Sequence, residues 1–229
     1  MAGIDDRWTA QVVKGAGRLG VEIGSEAAGL LAAYAAELLA WNRKCNLTAI
    51  TDPMEVAEKH MVDALAVMPY IPKGSRLLDI GSGGGFPGIP ARIADPTLSV
   101  TLVDAVRKKV SFLKHAARTL KLSGVEAIHA RAEELSEEEG RGQGYDVVTS
   151  RAFSAMDVFV PMAFPFLKPG GRIVAMKGKG FEEDLENLKA CEADFAARGI
   201  SLATEMIRYE LPFCGAQRAL FVITMSDLL

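Results

Sequence analysis

Asp79-Ile80-Gly81-Ser82-Gly83-Gly84-Gly85-Phe86-Pro87-Gly88 is the stretch on which the fold turns. It follows a short apolar run, Arg76 to Ile80, that reads as a strand, and it opens onto a helix. Glycines allow backbone conformations closed to other residues and let the main chain come close to a ligand. Gly83, Gly85 and Gly88 satisfy the dinucleotide pattern G-x-G-x-x-G, so spacing alone leaves the ligand class open. Two details favour a nucleoside ligand without a pyrophosphate. Asp79 stands just before the loop, where a carboxylate suits a cationic ligand, and Pro87 interrupts the helix start where phosphate oxygens would be received. Gly81 and Gly83 supply the close backbone approach.

Downstream, strand-like and helix-like runs alternate: Ser99 to Val103, a helix Val106 to Leu122, Val125 to Ala130, then Tyr145 to Thr149. A helix Met156 to Phe166, a strand Arg172 to Met176 and a helix Phe181 to Ala197 continue the series. This alternation predicts right-handed βαβ units and a parallel sheet. Leu202 to Tyr209 and Ala219 to Met225, joined through Pro212 and Gly215, predict a closing antiparallel pair. The expected architecture is an α/β, Rossmann-like, seven-stranded and mostly parallel sheet with a terminal hairpin. Asp104 closes the second strand, where an acidic residue accepts hydrogen bonds from ribose hydroxyls in such folds.

Upstream, Ser25 as a helix N-cap followed by apolar residues at Ala27, Leu30, Leu31, Tyr34, Leu38 and Trp41 predicts an amphipathic helix ending near Asn42. A second helix is expected from Pro53 to about Met68, before Pro69, Pro72 and Gly74 punctuate the chain. With 229 residues, 49% of them hydrophobic and 24% charged, the composition is that of one globular domain: an N-terminal helical extension over 1–72 and an α/β core over 73–229. Three scattered cysteines exclude a disulfide framework. The most apolar stretch, Ala27 to Ala40, is short and interrupted by Glu37, so export and membrane spanning are not expected and the cytoplasm is the expected location. A net charge of −3 argues against indiscriminate coating of nucleic acid but leaves room for a local basic face.

Taken together, Trp41-Asn42, Asn46-Leu47-Thr48, His60 with Asp63, the loop Gly81 to Pro90, Ser150-Arg151-Ala152 and Lys177-Gly178 resemble the ribosomal RNA small subunit methyltransferase G family, also called glucose-inhibited division protein B. The resemblance implies a class I methyltransferase that uses S-adenosylmethionine on N7 of guanine 527, in the 530 loop of 16S rRNA. Its partner would be that RNA, in the small ribosomal subunit or its precursor. Carried over position by position, it places Gly81, Phe86, Asp104, Ala132, Glu133 and Arg151 around the cofactor. On spacing alone Glu133 opens an acidic run through Glu139 that reads most simply as a solvated helix or loop. Gly84 stands where many members have alanine.

The acceptor chemistry is constrained by what is missing. Enzymes acting on exocyclic amines place Asn/Asp-Pro-Pro-Tyr/Phe after the fourth strand, where this chain has Ser150-Arg151-Ala152. Methylation at cytosine C5 needs a nucleophilic cysteine, commonly after proline, but Cys214 follows Phe213. Guanine N7 carries an in-plane lone pair and no proton, so no general base is required and no catalytic residue of that kind is expected. Arg43, Lys44, Asn46, Lys59 and His60 are candidate RNA contacts, and a solvated helix face fits them as well. Lys177 and Lys179, flanking Gly178 at a strand's C-terminal end, are the favoured substrate contacts. Arg107, Lys114, Arg118 and Lys121 read as the solvated face of a helix whose stripe Val106, Val110, Leu113, Ala117 and Leu120 packs inward. His115 and His129 have no partner at ligand spacing, so no metal is expected. Three other readings stay open: a nicotinamide-dependent oxidoreductase, a ribose 2′-O-methyltransferase using Lys177, and a non-catalytic RNA-binding assembly protein.

Overall fold

Seven strands form one sheet in the order β3-β2-β1-β4-β5-β7-β6, in a computed structural model that describes residues 4–137, 144–151 and 154–227. Strands β1 (Arg76–Ile80), β2 (Ser99–Asp104), β3 (Val125–His129), β4 (Tyr145–Arg151) and β5 (Leu167–Lys177) run parallel. Strands β6 (Ile200–Glu210) and β7 (Gln217–Asp227) pair antiparallel with each other, and β7 pairs antiparallel with β5. The strand order reverses between β1 and β4, which makes the crevice over the C-terminal ends of these strands the place where such sheets bind ligands.

Period-two alternation sends neighbouring side chains into two separate cores. Leu77, Val100, Leu102, Val147 and Val174 pack with helices α2 (Ser25–Cys45), α5 (Gly88–Ala94) and α6 (Arg107–Thr119) on one face. Leu78, Ile80, Val103, Val148 and Ile173 pack with α7 (Ala132–Glu137), α8 (Met156–Ala163) and α9 (Phe181–Ala197) on the other. Among the described residues no helix is long and apolar enough to cross a membrane.

The N-terminal region holds one element that the sequence reading left undivided. Helix α1 (Asp6–Arg18) is capped by the Asp5 carboxylate, buries Trp8, Val12 and Ala16, and donates from Trp8 Nε1 to the Pro53 carbonyl at 2.8 Å. Helix α2 runs to Cys45 rather than Asn42, and its N-cap is Gly24, with Ser25 already inside the helix. The helix expected over Pro53 to Met68 is interrupted. Helix α3 (Pro53–Val56), capped by Asp52, passes into a π-helical turn over Ala57–Val62 and then α4 (Asp63–Leu65). Val106 does not join the inward stripe of α6: it is the N-cap residue and is exposed, because the helix starts at Arg107. The expected strands near the C-terminus are longer than their apolar runs, since ladder hydrogen bonds continue past the last buried side chain.

The π turn joins the extension to the sheet. Glu58, buried on that turn, accepts hydrogen bonds from the Phe213 and Cys214 amides at 2.7 and 2.8 Å, which pins the β6–β7 loop. The π turn and the hairpin are thereby tied together beside the carboxyl edge of the sheet.

Candidate functional site

After β1 the chain turns back on the end of β2. The Gly81 and Ser82 amides both donate to the Val103 carbonyl, and the Gly85 and Phe86 amides fold back onto the Ser82 carbonyl. Gly85 has φ +92°, and a Cβ there would lie 2.7 Å from both Tyr34 Oη and Ile89 Cδ1. No other residue fits that conformation in that space. Tyr34 caps the loop from α2 by donating to the Gly84 carbonyl.

Asp104 ties the loop to the next helix. Its Oδ2 accepts from the Gly83 amide at 2.9 Å and its Oδ1 from the Val106 amide at 2.8 Å, with Lys109 Nζ 3.8 Å away. An ionised carboxylate has about four acceptor positions, so these two bonds leave one on each oxygen for a ligand's hydroxyls. A cavity of about 400 Å³ opens here, lined by Gly81, Gly83, Phe86, Asp104, Thr48 and Arg151 among others. That volume lies in the range usual for small-molecule sites. A larger cavity of about 570 Å³ lies at the opposite end of the sheet, between Phe164 and Gly171, and its described lining contains no carboxylate.

The wall facing the loop is aromatic and cationic. The Phe86 ring stacks on His60 with centroids 4.7 Å apart, and the Arg151 guanidinium lies 4.4 Å from the Phe86 centroid. Arg151 also donates to the Lys59 carbonyl at 3.2 Å and sits 3.8 Å from Asp63 Oδ2. His60 Nδ1 lies 3.1 Å from the Lys59 carbonyl and Nε2 lies 2.7 Å from Thr48 Oγ1. A carbonyl can only accept, so the network assigns the proton to Nδ1 and makes Nε2 the acceptor of the Thr48 hydroxyl. Asn42 fixes Thr48 in turn, with its side-chain amide bonded to both the amide and the carbonyl of Thr48 at 2.9 Å.

Several sequence-predicted residues land away from their expected roles. His60 is no surface contact. It is 6% exposed, and burial followed by the nearby Arg151 charge pushes its pKa down to about 3. Asp79 does not face the cavity. It shares the pleat face of Leu77, so it points beneath α5, where Oδ2 accepts from the Gly88 amide at 2.9 Å and Oδ1 has no hydrogen-bond partner among the described residues. Burial raises its pKa to about 7. Ala132 and Glu133 begin α7, outside the described cavity lining. Residues Glu138 and Glu139 of the acidic run, and Ala152, lie outside the described residues.

Arg43, Lys44 and Asn46 are exposed at the C-terminal end of α2, with Asn46 in the left-handed conformation as the C-cap. Lys59 pairs with Glu55. Lys177 is tied to Asp184 at 2.7 Å and donates to the Ser154 carbonyl, while Lys179 is exposed in the turn after β5. Lys109, Thr48, Tyr209 and Arg218 were missed. Thr48 stands in the Asn46-Leu47-Thr48 motif and Lys109, five residues after Asp104, in the first turn of the helix after the acidic strand end; Tyr209 and Arg218 carry no local signal.

His60 and Asp79 titrate in opposite senses. A histidine held near 3 in the fold and near 6.5 when unfolded leaves the unfolded chain with the extra proton in between, so its contribution is lost as pH falls below 6.5. A carboxyl near 7 in the fold and 3.8 unfolded does the reverse, and favours the fold as pH falls from 7 to 3.8. Relative to the wild type, the melting temperature of Asp79→Asn should therefore fall on acidification from about pH 7 to 4.5, and that of His60→Gln should rise. Parallel curves for all three proteins would contradict both assignments.

A glycine loop after β1, an acidic residue closing β2 and a cavity over both strand ends, within a sheet whose last strands are antiparallel, define a Rossmann-like S-adenosylmethionine-dependent methyltransferase. Solved structures agree on the fold. An O-methyltransferase from Bacillus cereus in complex with SAH superposes with a TM-score of 0.57 at 14% identity, covering 85% of this chain and 91% of that one. A SAM-dependent methyltransferase from Aquifex aeolicus gives 0.55 at 15% identity, covering 79% and 96%. The chain belongs to the rRNA small subunit methyltransferase G family, whose model matches residues 28–205. It is 47% identical to the ribosomal RNA small subunit methyltransferase G of Geobacter metallireducens over 93% of this chain and 94% of that protein. The corresponding figures for the Myxococcus xanthus protein of the same name are 43%, 94% and 96%.

Proposed function

We propose that this chain transfers the methyl group of S-adenosylmethionine to N7 of guanine 527 in the 530 loop of 16S rRNA. Family membership carries the reading, and the cavity between the glycine loop and Asp104 supports it. The cofactor, when bound, supplies an electrophilic methyl group, so the protein's part is positioning and electrostatics. Asp104 offers its free acceptor positions to the ribose hydroxyls, Gly81 and Gly83 give the loop its close approach, and Phe86 and Arg151 form the wall toward the acceptor. Asp79 acts through the loop, holding Gly88. Ala132 and Glu133, one strand beyond Asp104, are the side from which the adenine is covered.

No residue serves as a proton acceptor in the reaction. His60 faces the cavity, but with a pKa of about 3 it is a weak base that stays neutral through the physiological range. Lys177, the candidate base for ribose methylation, has its ammonium engaged by Asp184 and Ser154. Lys177 and Lys179, with Arg43, Lys44 and Asn46, act as RNA contacts. The helical extension and the core work as one domain, since the extension supplies Thr48, His60 and Lys59 around the site. The substrate is the small subunit or its precursor, in the cytoplasm.

Small subunits from a strain lacking this enzyme, incubated with labelled cofactor and digested to nucleosides, should yield 7-methylguanosine mapping to position 527. The single-turnover rate should be nearly flat between about pH 6.5 and 8.5. Label on a ribose, or a steep rise in rate across that window, would favour a base-assisted 2′-O transfer instead.

A further inference from the structure

Over the ends of β4 and β5, beside the cofactor cavity, lies a second cavity of about 220 Å³. The two share His60 and Arg151 as their common wall. Its described lining carries Lys59, Arg151, Lys177 and Arg218 around a single carboxylate, Asp63, which is 5% exposed. Asp63 stands where the π turn ends, and the terminal hairpin grips only one of its oxygens. Oδ1 accepts from the Tyr209 hydroxyl at 2.9 Å and lies 3.3 Å from Arg218 Nε. Oδ2 has Arg151 Nη1 as its nearest cation, at 3.8 Å, beyond hydrogen-bond length. A buried carboxylate is therefore held from both strands of the hairpin and keeps one oxygen without a hydrogen-bond donor among the described residues.

We propose that Asp63 Oδ2 receives the N1–H and N2 amino edge of the target guanine, making Asp63 the residue that selects guanine and steadies the charge the base acquires. The inference rests on the guanine-N7 reading above and deepens it. N7 and the N1/N2 edge lie on opposite sides of a guanine, so a base with N7 toward the cofactor cavity turns its two donors toward the β5 side. O6, between them, meets the guanidinium and ammonium groups of the lining. Adenine would present the N1 lone pair to the carboxylate, a repulsive contact that rejects it.

The same contact favours the transfer itself. The N7 lone pair forms the new N–C bond while the C–S bond breaks and its electron pair returns to sulfur. Positive charge passes from the sulfonium to the base and no proton leaves. The hydrogen bonds from N1–H and the N2 amino group to a carboxylate strengthen as that charge develops, which is stabilisation specific to the transition state. His60 and Asp63, three residues apart where the π turn passes into α4, share a helix face and both line the cavity.

Calorimetry on the enzyme saturated with S-adenosylhomocysteine tests the contact without relying on turnover. Guanosine 5′-monophosphate should bind about tenfold more tightly than inosine 5′-monophosphate, which lacks only the N2 amino group, and 7-methylguanosine 5′-monophosphate, which carries the charge, about tenfold more tightly still. In Asp63→Asn the three affinities should fall within about twofold of one another while S-adenosylhomocysteine binding, the measure of an intact fold, stays unchanged. Equal affinity for the three in the wild type, or affinity for none, overturns the assignment whatever the variant does. On subunits, Asp63→Asn should slow single-turnover methylation roughly 10²–10³-fold. A wild-type rate, or a slow variant that still discriminates the nucleotides, leaves Asp63 a structural ion-pair residue and refutes the proposal. Failure of the underlying reading shows differently, as absence of 7-methylguanosine from the wild-type product.

Discussion

Replacing Asp104 by alanine should raise the dissociation constant for S-adenosylmethionine by roughly two powers of ten or more, about 3 kcal/mol. One carboxylate here serves two purposes. It accepts the Gly83 and Val106 amides, which fix the loop against the start of α6, and it keeps one acceptor position on each oxygen, which the proposed site offers to the ribose hydroxyls. Hydrogen bonds to an ionised group are worth about 1.5–3 kcal/mol each. Alanine removes the ligand's partners and frees the loop together, so the loss should exceed that of a residue that only touches the ligand. Asp104→Asn should fall between, because an amide keeps one acceptor but turns a donor toward the other backbone N–H. Titration calorimetry with S-adenosylhomocysteine reads both, and an unchanged affinity in the alanine variant would mean that the cofactor lies elsewhere.

Gly85→Ala should cost about 2–5 kcal/mol of folding stability, seen as a lower urea midpoint with an unchanged slope. Backbone and space act together at this residue. Its φ of +92° is strained for any L side chain, and the added methyl would meet Tyr34 Oη, Ile89 Cδ1 and Leu113 Cδ2 at 3.0 Å or less. Tyr34 cannot retreat easily, since its hydroxyl is bonded to the Gly84 carbonyl and its ring is packed against Phe86 and Phe112. Gly84→Ala is the control. Gly84 has no positive φ, and a Cβ there meets Leu38 and Phe86 at 3.2 Å, contacts that side chains can relieve, so the expected cost is below about 1 kcal/mol. Equal losses for the two variants would remove the conformational argument.

The loop was legible in the sequence for the reason that makes Gly85 sensitive. Left-handed backbone leaves a glycine in the sequence, and a strand end closed by aspartate leaves Asp104 one helix and one strand later. The helices and strands were legible wherever one face is buried, because a period of 3.6 or 2 then shows in the residue types. Helix α1 carried that signal too, in Asp5 followed by Trp8, Val12 and Ala16, although only a general helical extension was read from it. His60 was misread as part of a surface patch. Its burial comes from partners distant in sequence, the stacked Phe86 ring and the nearby Arg151, which no local spacing records.

The sequence by itself determined the local and chemical features: the parallel sheet with its closing hairpin, the nucleoside-binding loop, the acidic strand end, and the absence of motifs for amine and C5 methylation. Each is written in residue type and short spacing, which the chain's own backbone geometry enforces. Tertiary structure alone decided which charged groups are buried together. Asp63 meets Tyr209 and Arg218 across about two thirds of the chain, and Arg151 lies against both Asp63 and Phe86. Asp79, one pleat away from the ligand, is turned beneath α5 and pushed toward neutrality by burial. Burial and long-range pairing depend on how the π turn and the hairpin close over the sheet's edge, and no local spacing records that distance.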